Sequence, residues 1–501
     1  MYRGTAWLLG LIALAAAACN RDASTAGVQP CDEIALSPAN AAAASHNVIV
    51  IVNDTMRRDR LGAYGGPAET PAFDAFAAQN LLFEHAFTQA PWTKPSIATL
   101  FTSLYPSQHG VASDPQFRNP LDAQRSAPLT KADVLSDEFE TLPEVMQAAG
   151  YRTAAFVANP WMGKRFGFAQ GFEVYDDSFA QWGIKGEVVS RAALQWLSQL
   201  PPGSKFFVYL HYLDSHMPYG VLDRQDLARR ASQLSADTRP LSEPAILAIK
   251  TIPRFADRVS PLAEGYQPSL SLIELSYDSG LSQFDGALAT FLNGFKQHWA
   301  FDNTAVIITS DHGEALFERG YGNHGNGLFD DEVAVPLAAR FPGTRAEQKR
   351  IACPVGLIDV MPSLCTYLNL NCPKPMFGTS FISAPGRRDG EPRYIVTEGV
   401  AQRPAHRAIR NATYKLLWET EVLADGKKKE NPYSLYDVAT DPQERQDLLK
   451  SSERSSQTER AFQTLASALR DAVPAFSEPS KTYAPVDPQT RERLRALGYA
   501  D

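Results

Sequence analysis

Thr93 lies in the segment Ala90–Ile97, where its hydroxyl stands just before a stretch that reads as a helix. A threonine hydroxyl is a weak nucleophile unless a metal ion or a base helps to remove its proton. Two distant segments supply such help, because one apolar run ends in Asp54 and another ends in Asp311 and His312. Two carboxylates, an imidazole and an alkoxide suit a divalent cation. These residue types predict metal-assisted attack by Thr93 on an ester.

The two apolar runs are the elements that must position these groups. Residues 47–53 and 304–309 are mostly aliphatic and β-branched, which is typical of parallel strands buried on both faces. In an open α/β sheet the carboxyl ends of the strands line the ligand crevice. Strands far apart in sequence can therefore bring Asp54, Asp311 and His312 to one place.

A helix start is the second element that the site needs. Pro95 and the residues after it read as the first turns of a helix, with proline near its beginning. Free amides and the helix dipole stabilise negative charge there by about 0.3–1 kcal/mol. Threonine is also an ordinary helix cap, and this alternative would suffice without the two aspartate strands. With them, we favour catalysis by Thr93 over capping.

The fold class follows from apolar runs that alternate with helical stretches. This alternation predicts an α/β domain with a large, mostly parallel sheet flanked by helices on both faces. The predicted strands are Val48–Asn53, Thr153–Ala158, Phe206–Leu213, Ala305–Thr309 and Pro336–Arg340. The predicted helices are Thr141–Ala149, Glu187–Leu200 and Leu270–Gln297.

The chain changes character twice after the first strands. Residues 220–267 are polar, charged and punctuated by proline, which is typical of a lid or a substrate-selecting insertion. From residue 386 on, short strands at Tyr394–Glu398, Arg407–Arg410 and Tyr414–Trp418 and a helix at Gln457–Ala472 predict a smaller α+β subdomain. We therefore expect a catalytic domain at 46–385 and a C-terminal subdomain at 386–501.

The N-terminus reads as an export signal. The apolar stretch from Ala6 to Ala18 is shorter than the about 20 residues that span a bilayer, so residues 1–18 are predicted to be a signal peptide. Small residues directly before Cys19 resemble a lipoprotein processing site, and residues 19–45 would then be a lipidated tether. We expect a lipid anchor on Cys19 in the periplasm or outer membrane of a bacterial envelope. Ordinary cleavage and secretion is the alternative.

Composition limits the remaining partners. The 501 residues are 44% hydrophobic and 21% charged, which is typical of a globular protein. The formal charge is −8, and it becomes −9 when Arg3 leaves with the leader, so nucleic acid is not expected as a partner. In an oxidising compartment Cys365 and Cys372 are the local candidates for a disulfide, while small buried thiols are the alternative. The sequence sets no oligomeric state.

An ordered set of motifs carries a family resemblance. The chain resembles the sulfatase family of the alkaline phosphatase superfamily over nearly all of residues 46–449. The motifs that carry it are Asn53–Arg57, Leu61–Tyr64, Thr70–Asp74, the Thr93 segment continuing to Leu104–Val111, Gly150–Ala154, Thr309–Glu314, Tyr414–Leu417 and Leu435–Pro442.

The resemblance implies roles for the site residues. It implies that Asp54, Asp311 and His312 are metal ligands together with Thr93, that His216 protonates the leaving oxygen, and that His324 binds a non-bridging oxygen of the ester. Asn53 either coordinates the metal through its amide oxygen or contacts the metal ligands without binding the metal itself. The candidates for substrate binding are His211, Asp214, Asn159 and Lys164; for His211 a structural role is an equal alternative, and Asp214 would either orient His216 or bind a second metal.

Thr93 is also where the sequence departs from sulfatases that use formylglycine. The resemblance implies a cysteine or serine at this position and an arginine four residues later, whereas this chain has Thr93 and Ile97. Threonine cannot become formylglycine, so a modified Thr93 must be released by a second attack on phosphorus or sulfur. Superfamily members with a threonine or serine nucleophile use this double displacement, and they cleave phosphate or phosphonate esters or transfer phosphoglycerol. The resemblance therefore favours cleavage of phosphate or phosphonate esters. The alternatives are a sulfatase without formylglycine, a phosphoglycerol-type transferase and, least favoured, a non-catalytic binding protein.

The expected cofactor is a divalent metal ion. Mixed oxygen and nitrogen donors favour Mn²⁺ or Zn²⁺, and the family resemblance keeps Ca²⁺ as an alternative. The expected substrate is a small-molecule, glycan or lipid ester.

Overall fold

The structure is a computed structural model that describes residues 34–36, 46–112, 131–180, 184–217, 219, 270–319, 321–345, 349–383, 393–399, 406–419, 432–472 and 482–497. The predicted signal peptide, Cys19 and the predicted insertion at 220–267 lie outside these residues. None of the helices in the described ranges combines the length and the hydropathy that a membrane span requires.

Twenty strands are described, and most of them belong to two sheets. The strands are β1 Ile34–Leu36, β2 Asn47–Asn53, β3 Leu81–Phe87, β4 Lys131–Asp133, β5 Arg152–Val157, β6 Val174–Asp176, β7 Phe206–Tyr212, β8 Thr304–Thr309, β9 Ala315–Leu316, β10 Gly322–Asn323, β11 Ala334–Arg340, β12 Thr344–Arg345, β13 Arg350–Ile351, β14 Val355–Gly356, β15 Ile382–Ser383, β16 Ile395–Glu398, β17 Arg407–Arg410, β18 Tyr414–Trp418, β19 Tyr433–Asp437 and β20 Tyr483–Pro485.

Ten α-helices and several 3-10 turns connect the strands. The α-helices are α1 Pro71–Gln79, α2 Thr93–Thr102, α3 Pro106–His109, α4 Leu142–Ala148, α5 Gly186–Ser198, α6 Leu270–His298, α7 Asp330–Val333, α8 Val360–Leu368, α9 Ser456–Ala472 and α10 Pro488–Ala496. The 3-10 turns are Arg58–Arg60, Gly62–Tyr64, Pro160–Met162, Lys164–Phe166, Phe301–Asn303, Leu357–Asp359 and Leu448–Lys450.

The central sheet confirms the predicted fold class. Its strand order is β13-β3-β11-β8-β2-β7-β5-β6, with β14 also paired to β3. All pairs are parallel except those of β11, which runs antiparallel to both β3 and β8. The sheet is therefore mostly parallel, as predicted, with one reversed strand.

Alternating side chains along β2 build a core on each face of this sheet. Val48, Val50 and Val52 pack on the face covered by α2 and α8. Ile49 and Ile51 pack on the opposite face, against α5 and α6. Because every residue of β2 is buried, a continuous apolar run rather than an alternating one encodes this strand.

The C-terminal subdomain has its own antiparallel sheet in the order β16-β17-β18-β19, and α9 packs on it. A largely buried group of charges joins it to the central domain, and we call it the Asp330 cluster: Asp330, Arg410, Lys415 and Glu444. Arg410 Nη1 lies 2.6 Å and Lys415 Nζ 2.8 Å from Asp330 Oδ1, and Lys415 Nζ lies 2.6 Å from Glu444 Oε1.

Two terminal segments pack on the central domain. β1 lies within the range predicted as a tether, yet it pairs with β12 and β15, and its Ile34 is buried. Residues 482–497, which we call the clasp, contain β20 and α10. β20 pairs with β4, and α10 buries Leu494 in the central core. Cys365 and Cys372 form a disulfide, as expected for the local pair.

Candidate active site

The carboxyl ends of β2 and β8 form the centre of the site. The two strands are parallel neighbours, with Val52 opposite Thr309. The residues that follow them, Asp54 on one side and Asp311 with His312 on the other, therefore emerge at the same edge of the sheet. A further hydrogen bond, from Asp54 N to Tyr212 O at 3.0 Å, joins this edge to the end of β7.

Asp54, Asp311 and His312 converge as the sequence predicted, and we call them the metal cluster. One ligand atom of each lies within 4.8 Å of the others, and all three side chains are buried. His312 Nε2 is 3.5 Å from Asp54 Oδ1 and 3.4 Å from Asp311 Oδ2. Two carboxylates and an imidazole at this spacing are a plausible set of ligands for a divalent cation.

The bonding of the metal cluster tests whether a cation fits. Asp54 Oδ1 and Asp311 Oδ2 are buried and have no hydrogen-bond partner in the described part of the chain. His312 Nδ1 donates to Gly313 O at 2.8 Å, so in the neutral ring the lone pair lies on Nε2. Burial, with the nearby charge of Asp311, raises the pKa of Asp54 to about 6. The metal cluster thus offers two carboxylate oxygens and one imidazole nitrogen as donors, and its two carboxylates are not balanced by a cationic side chain of the cluster. A divalent cation fits this set of donors.

Thr93 lies beside the metal cluster at the first residue of α2. Its Oγ1 is 3.4 Å from Asp54 Oδ2 and 3.3 Å from His312 Nε2, and the residue is fully buried. Trp92 is the N-cap residue and makes no side-chain cap bond. The Thr93 hydroxyl is therefore directed at the metal cluster rather than used as the cap of its own helix.

Asn159 is the amide that bridges Thr93 and Asp54. Its Nδ2 donates to Asp54 Oδ2 at 2.5 Å and to Thr93 Oγ1 at 3.2 Å. Its Oδ1 accepts from Trp161 N at 2.8 Å, which fixes the orientation of the amide. The sequence suggested substrate binding for Asn159, and the structure adds a direct contact with the hydroxyl of Thr93.

Thr55 and Tyr277 support the metal cluster and were not found from the sequence. Thr55 has a φ of 60°, which is unusual for a β-branched residue, and its N–H donates to Asp311 Oδ1 at 3.3 Å. Tyr277, on α6, donates its hydroxyl to Thr55 O at 2.5 Å and accepts from Arg57 N at 2.7 Å. Nothing in the pattern of α6 separates Tyr277 from an ordinary core aromatic residue.

Three further histidines surround the metal cluster. His211 Nε2 lies 3.8 Å from Asp311 Oδ2 and 4.0 Å from Asp54 Oδ2. The ring centroid of His324 lies 4.3 Å from that of His312 and 5.1 Å from that of His216. The structure therefore brings His211, His216 and His324 to the same site.

Hydrogen bonds set the proton positions of two of these rings. His216 Nδ1 donates to Met217 O at 2.7 Å, so in the neutral ring the lone pair lies on Nε2. His324 Nδ1 lies 2.7 Å from Glu314 Oε2, and Glu314 Oε1 accepts from Tyr219 at 2.7 Å. Burial raises the pKa of Glu314 well above its ordinary value and lowers the pKa of His324.

Those directions favour a neutral carboxylic acid next to a neutral imidazole. In that state the protonated Glu314 Oε2 donates a hydrogen bond to His324 Nδ1, and the ring proton of His324 lies on Nε2. Glu314 was quoted in a sequence motif but given no role. Its position two residues after His312 was the available signal.

Two predicted substrate ligands, Asp214 and Lys164, form their described hydrogen bonds outside the metal cluster. β7 ends at Tyr212, so the extended geometry that would align Asp214 with His216 does not continue. Asp214 Oδ1 instead accepts from Gly186 N at 3.0 Å, at the start of α5. The Lys164 side chain is exposed, and the backbone of this residue donates to Asp177 Oδ2 through its N–H at 3.1 Å and accepts from Gly167 N through its carbonyl at 3.1 Å.

Asn53 directly precedes Asp54, and its side-chain amide forms no hydrogen bond with the metal cluster in the described residues. Its Nδ2 donates to Ser215 Oγ at 2.8 Å, while its Oδ1 is buried without a hydrogen-bond partner among the described residues. Arg57 forms ion pairs with Asp59 and Glu318 and therefore stabilises the fold around the site.

Comparisons with known proteins show the same fold in solved structures and distant similarity in sequence. The ulvan-active sulfatase of Formosa agariphila is 24% identical over 433 residues, which cover 80% of this chain and 77% of that protein. The structure of a phosphonate monoester hydrolase of Agrobacterium radiobacter is similar with a TM-score of 0.62 at 19% identity, covering 85% of this chain and 96% of that one. A structure solved with its substrate D-glucosamine-2-N,6-O-disulfate has a TM-score of 0.65 at 15% identity, covering 85% and 98%.

A family model provides the assignment. The model described as Sulfatase matches residues 46–370, which is more than half of the chain and contains the metal cluster, Thr93 and the three further histidines. Enzymes of this family use a divalent metal ion, in agreement with the donor set at the ends of β2 and β8. The chain therefore belongs to the sulfatase family of the alkaline phosphatase superfamily and is an ester hydrolase.

Proposed function

We propose that the chain hydrolyses phosphate or phosphonate esters with a divalent metal ion and with Thr93 as the nucleophile. The observation that carries this proposal is the position of Thr93 Oγ1, 3.4 Å from Asp54 Oδ2 and 3.3 Å from His312 Nε2. Those atoms belong to two of the three residues of the metal cluster, and the N-terminus of α2 adds a favourable dipole. A cation held by the metal cluster, together with the helix dipole, would stabilise negative charge on this oxygen.

Asp54, Asp311 and His312 would hold the cation, with Asn53 Oδ1 as a further candidate ligand. When bound, the cation would lower the pKa of the Thr93 hydroxyl and withdraw charge from the ester. Oxygen and nitrogen donors together favour Mn²⁺ or Zn²⁺, with Ca²⁺ as the alternative.

The first chemical step is attack on phosphorus by Thr93 Oγ1, whose hydroxyl proton has been released to solvent beforehand. The bond from phosphorus to Thr93 forms as the bond to the leaving oxygen breaks, which gives a phosphorylated or phosphonylated threonine. Asn159 Nδ2, 3.2 Å from Thr93 Oγ1, stabilises the oxygen before attack. His324 would donate to a non-bridging oxygen.

His216 would manage the remaining proton. Burial lowers the pKa of His216 to about 4, so its ring is neutral at pH 7 before substrate binds. An anionic ester beside the ring raises that pKa, so substrate binding is accompanied by proton uptake. The imidazolium then protonates the leaving oxygen. In the second step the neutral ring accepts a proton from the water that attacks phosphorus and releases Thr93.

Charge narrows the ester class. In the described part of the chain, the groups within hydrogen-bond distance of Thr93 Oγ1 come from Asp54, Asn159 and His312, none of which is a lysine or an arginine. Lys94 is paired with Asp133, and Lys164 is exposed. A site with this charge favours a singly charged phosphodiester or phosphonate monoester over a doubly charged phosphomonoester.

Sulfate ester hydrolysis without formylglycine is the second candidate. A sulfate monoester also carries one negative charge, and the ulvan-active relative is named a sulfatase. We place it second because Thr93 cannot use the formylglycine route of sulfatases. A sulfated Thr93 could be released only by a second attack on sulfur, whereas double displacement on phosphorus is the route that the resemblance implies for a threonine nucleophile. An alcohol in place of water would make the enzyme a transferase, and the same residues would serve both reactions.

The test combines metal analysis with a panel of esters. Purified full-length protein is assayed on bis-p-nitrophenyl phosphate, p-nitrophenyl phenylphosphonate, p-nitrophenyl phosphate and p-nitrophenyl sulfate, with and without added glycerol. We expect about one bound transition-metal ion and fastest turnover of the diester or the phosphonate. Faster turnover of the sulfate would transfer the assignment to the second candidate, and a glycerol adduct as the main product would identify a transferase.

Thr93→Ala is the decisive variant, and Thr102→Ala in the same helix is its control. Thr102 Oγ1 bonds Ala98 O and has no recorded contact with the metal cluster. We expect Thr93→Ala to lose more than about 10³-fold in turnover and Thr102→Ala to stay within about threefold. Acid-quenched wild type should carry the phosphoryl group on the peptide that contains Thr93. Unchanged turnover in folded Thr93→Ala would refute the proposal.

A further inference from the structure

Lys94, the residue after Thr93, is buried rather than directed into the site. Its side chain is fully inaccessible, and its Nζ lies 2.8 Å from Asp133 Oδ1 and also donates to Asp133 O. The ring of Phe166 lies under the same ammonium group, 4.5 Å from Nζ to the centroid. The first turn of α2, and Thr93 with it, is therefore fastened to β4.

Asp133 is itself fixed at its other oxygen. Its Oδ2 accepts from Ala112 N at 2.8 Å, and the residue is 2% exposed. β4, which ends at Asp133, pairs only with β20 of the clasp in the described sheets, and Val134 N donates to Thr482 O at 2.9 Å. The anchor of Lys94 therefore rests on the clasp.

The clasp also supports the second contact of Thr93, through Asn159. The amide of Asn159 is oriented by Trp161 N, in the 3-10 turn Pro160–Met162. Helix α10 of the clasp packs on this turn, and Leu494 is buried in the same core as Trp161. Asp487, which caps α10, forms an ion pair with Arg165 just beyond the turn.

We propose that Lys94 and Asp133 are positioning residues for Thr93, and that the clasp is required for turnover because it supports both segments that hold this hydroxyl. The inference rests on the proposed role of Thr93 as the nucleophile. A displacement of about 1 Å at a nucleophile can cost about 10²-fold in rate, so small movements of α2 or of Asn159 would be visible in kcat.

The competing explanation is that Lys94–Asp133 is only a structural ion pair. Replacement of a buried ion pair by neutral groups of similar volume is often neutral for stability or even stabilising. The two explanations therefore differ in the double variant Lys94→Met/Asp133→Asn. In this variant the asparagine can still accept from Ala112 N, and no buried charge is left unpaired.

The experiment measures kcat and KM for bis-p-nitrophenyl phosphate, the rate of Thr93 modification in a single turnover, and thermal unfolding. For Lys94→Met/Asp133→Asn we expect a folded protein, a kcat and a single-turnover rate lower by about 10–100-fold, and a KM within about threefold. The matched control is Lys415→Met/Glu444→Gln, which neutralises a buried pair in the C-terminal subdomain. We expect its kcat to be unchanged.

Leu494→Ala tests the clasp independently, and it keeps the proposal testable where the double variant does not fold. We expect a smaller loss of kcat, about 3–10-fold, again with KM preserved. Wild-type kcat in a folded Lys94→Met/Asp133→Asn protein would overturn the positioning role, and wild-type kcat in folded Leu494→Ala would overturn the role of the clasp. Neither result bears on the nucleophile, which Thr93→Ala decides separately.

Discussion

The metal cluster and the Asp330 cluster are both groups of buried charge, but their balance differs. Asp330 faces Arg410 and Lys415 at 2.6 and 2.8 Å, and these cations hold the pKa of Asp330 well below its ordinary value despite its burial. Asp54 faces Asp311 and His312, and its pKa is raised to about 6. One carboxylate is neutralised by the protein itself, and the other is not.

This difference separates a structural site from a functional one. A buried carboxylate without a cation is unfavourable for folding, so its presence requires a compensating role. In the metal cluster the missing positive charge matches a divalent ion, whereas the Asp330 cluster needs nothing from outside. The charge balance around a buried acid is therefore more informative than its burial alone.

The largest effect that would test the comparison is expected for Asp311→Asn. Loss of this ligand should reduce ester turnover by about 10²–10³-fold or more. The metal-free protein should unfold at nearly the wild-type temperature, because Asp54 loses a facing carboxylate while the interactions of His312 and His211 with the Asp311 charge, which lower the pKa of Asp311, are lost. Turnover assays and thermal unfolding after chelation measure both. If metal-free Asp311→Asn were much less stable than metal-free wild type, Asp311 would be a structural residue like Asp330, and the difference between the two clusters would not hold.

Asp330→Asn should show the reverse pattern. Arg410 and Lys415 would lose their shared carboxylate, and breaking a buried pair in this way costs about 3–5 kcal/mol of the free energy of unfolding. We expect kcat of the folded protein to stay within about twofold. Urea unfolding measures the loss of stability, and steady-state kinetics measure kcat. A drop in kcat without a loss of stability would show that Asp330 is a functional residue rather than a structural one.

Asp214 is an intermediate case, because a backbone amide bonds its carboxylate and the charge of Lys185 acts on it only as a minor influence. Burial raises its pKa to about 6, so the folded state binds the proton more tightly than the unfolded state does. Stability should therefore fall as pH rises from about 4 to about 6. Asp214→Asn retains an acceptor for Gly186 N and should raise the free energy of unfolding at pH 8 by about 1–3 kcal/mol.

The check on Asp214→Asn is urea unfolding of variant and wild type at low and high pH. The two proteins should converge below about pH 3, where Asp214 is protonated in the unfolded state as well as in the folded one. A variant that is less stable at pH 8 would mean that a cation compensates Asp214.

Lys164→Ala should have the smallest effect, because its charge lies outside both clusters. Its side chain is exposed, and surface substitutions of this kind change free energies by about 0.5 kcal/mol or less. We expect kcat/KM for bis-p-nitrophenyl phosphate to remain within about twofold of wild type. A tenfold rise in KM would show that Lys164 reaches the substrate.

Much of the fold was predictable because its central strands are continuous apolar runs. β2 and β8 are buried on both faces, so an unbroken run of apolar residues was enough to predict each strand, and no alternation of polar and apolar residues was needed. β3 was not predicted, because Glu84 and His85 interrupt its apolar run at half-buried positions. The reversed direction of β11 depends on its neighbours β3 and β8, and no local sequence encodes that choice.

The site was predictable where a residue directly follows a strand. Asp54, Asp311 and His312 meet because adjacent parallel strands end at one edge. The prediction for Asp214 assumed that β7 continues, but the strand ends at Tyr212 and the chain turns toward α5. Tyr277 and Lys94 were not predicted, because their contacts with Thr55 and Asp133 join residues far apart in sequence. Their neighbours in sequence resemble those of ordinary core residues.

The contact between Tyr219 and Tyr277 has a consequence for how members of one fold can differ in their substrates. These residues lie on either side of the predicted insertion at 220–267, and their rings meet edge to face with centroids 5.6 Å apart. Tyr219 bonds Glu314, and Tyr277 bonds Thr55. A segment whose ends touch costs only about 0.6 kcal/mol more for each doubling of its length. The chain between them can therefore change in length at small entropic cost while Tyr219 and Tyr277 keep their bonds to Glu314 and Thr55.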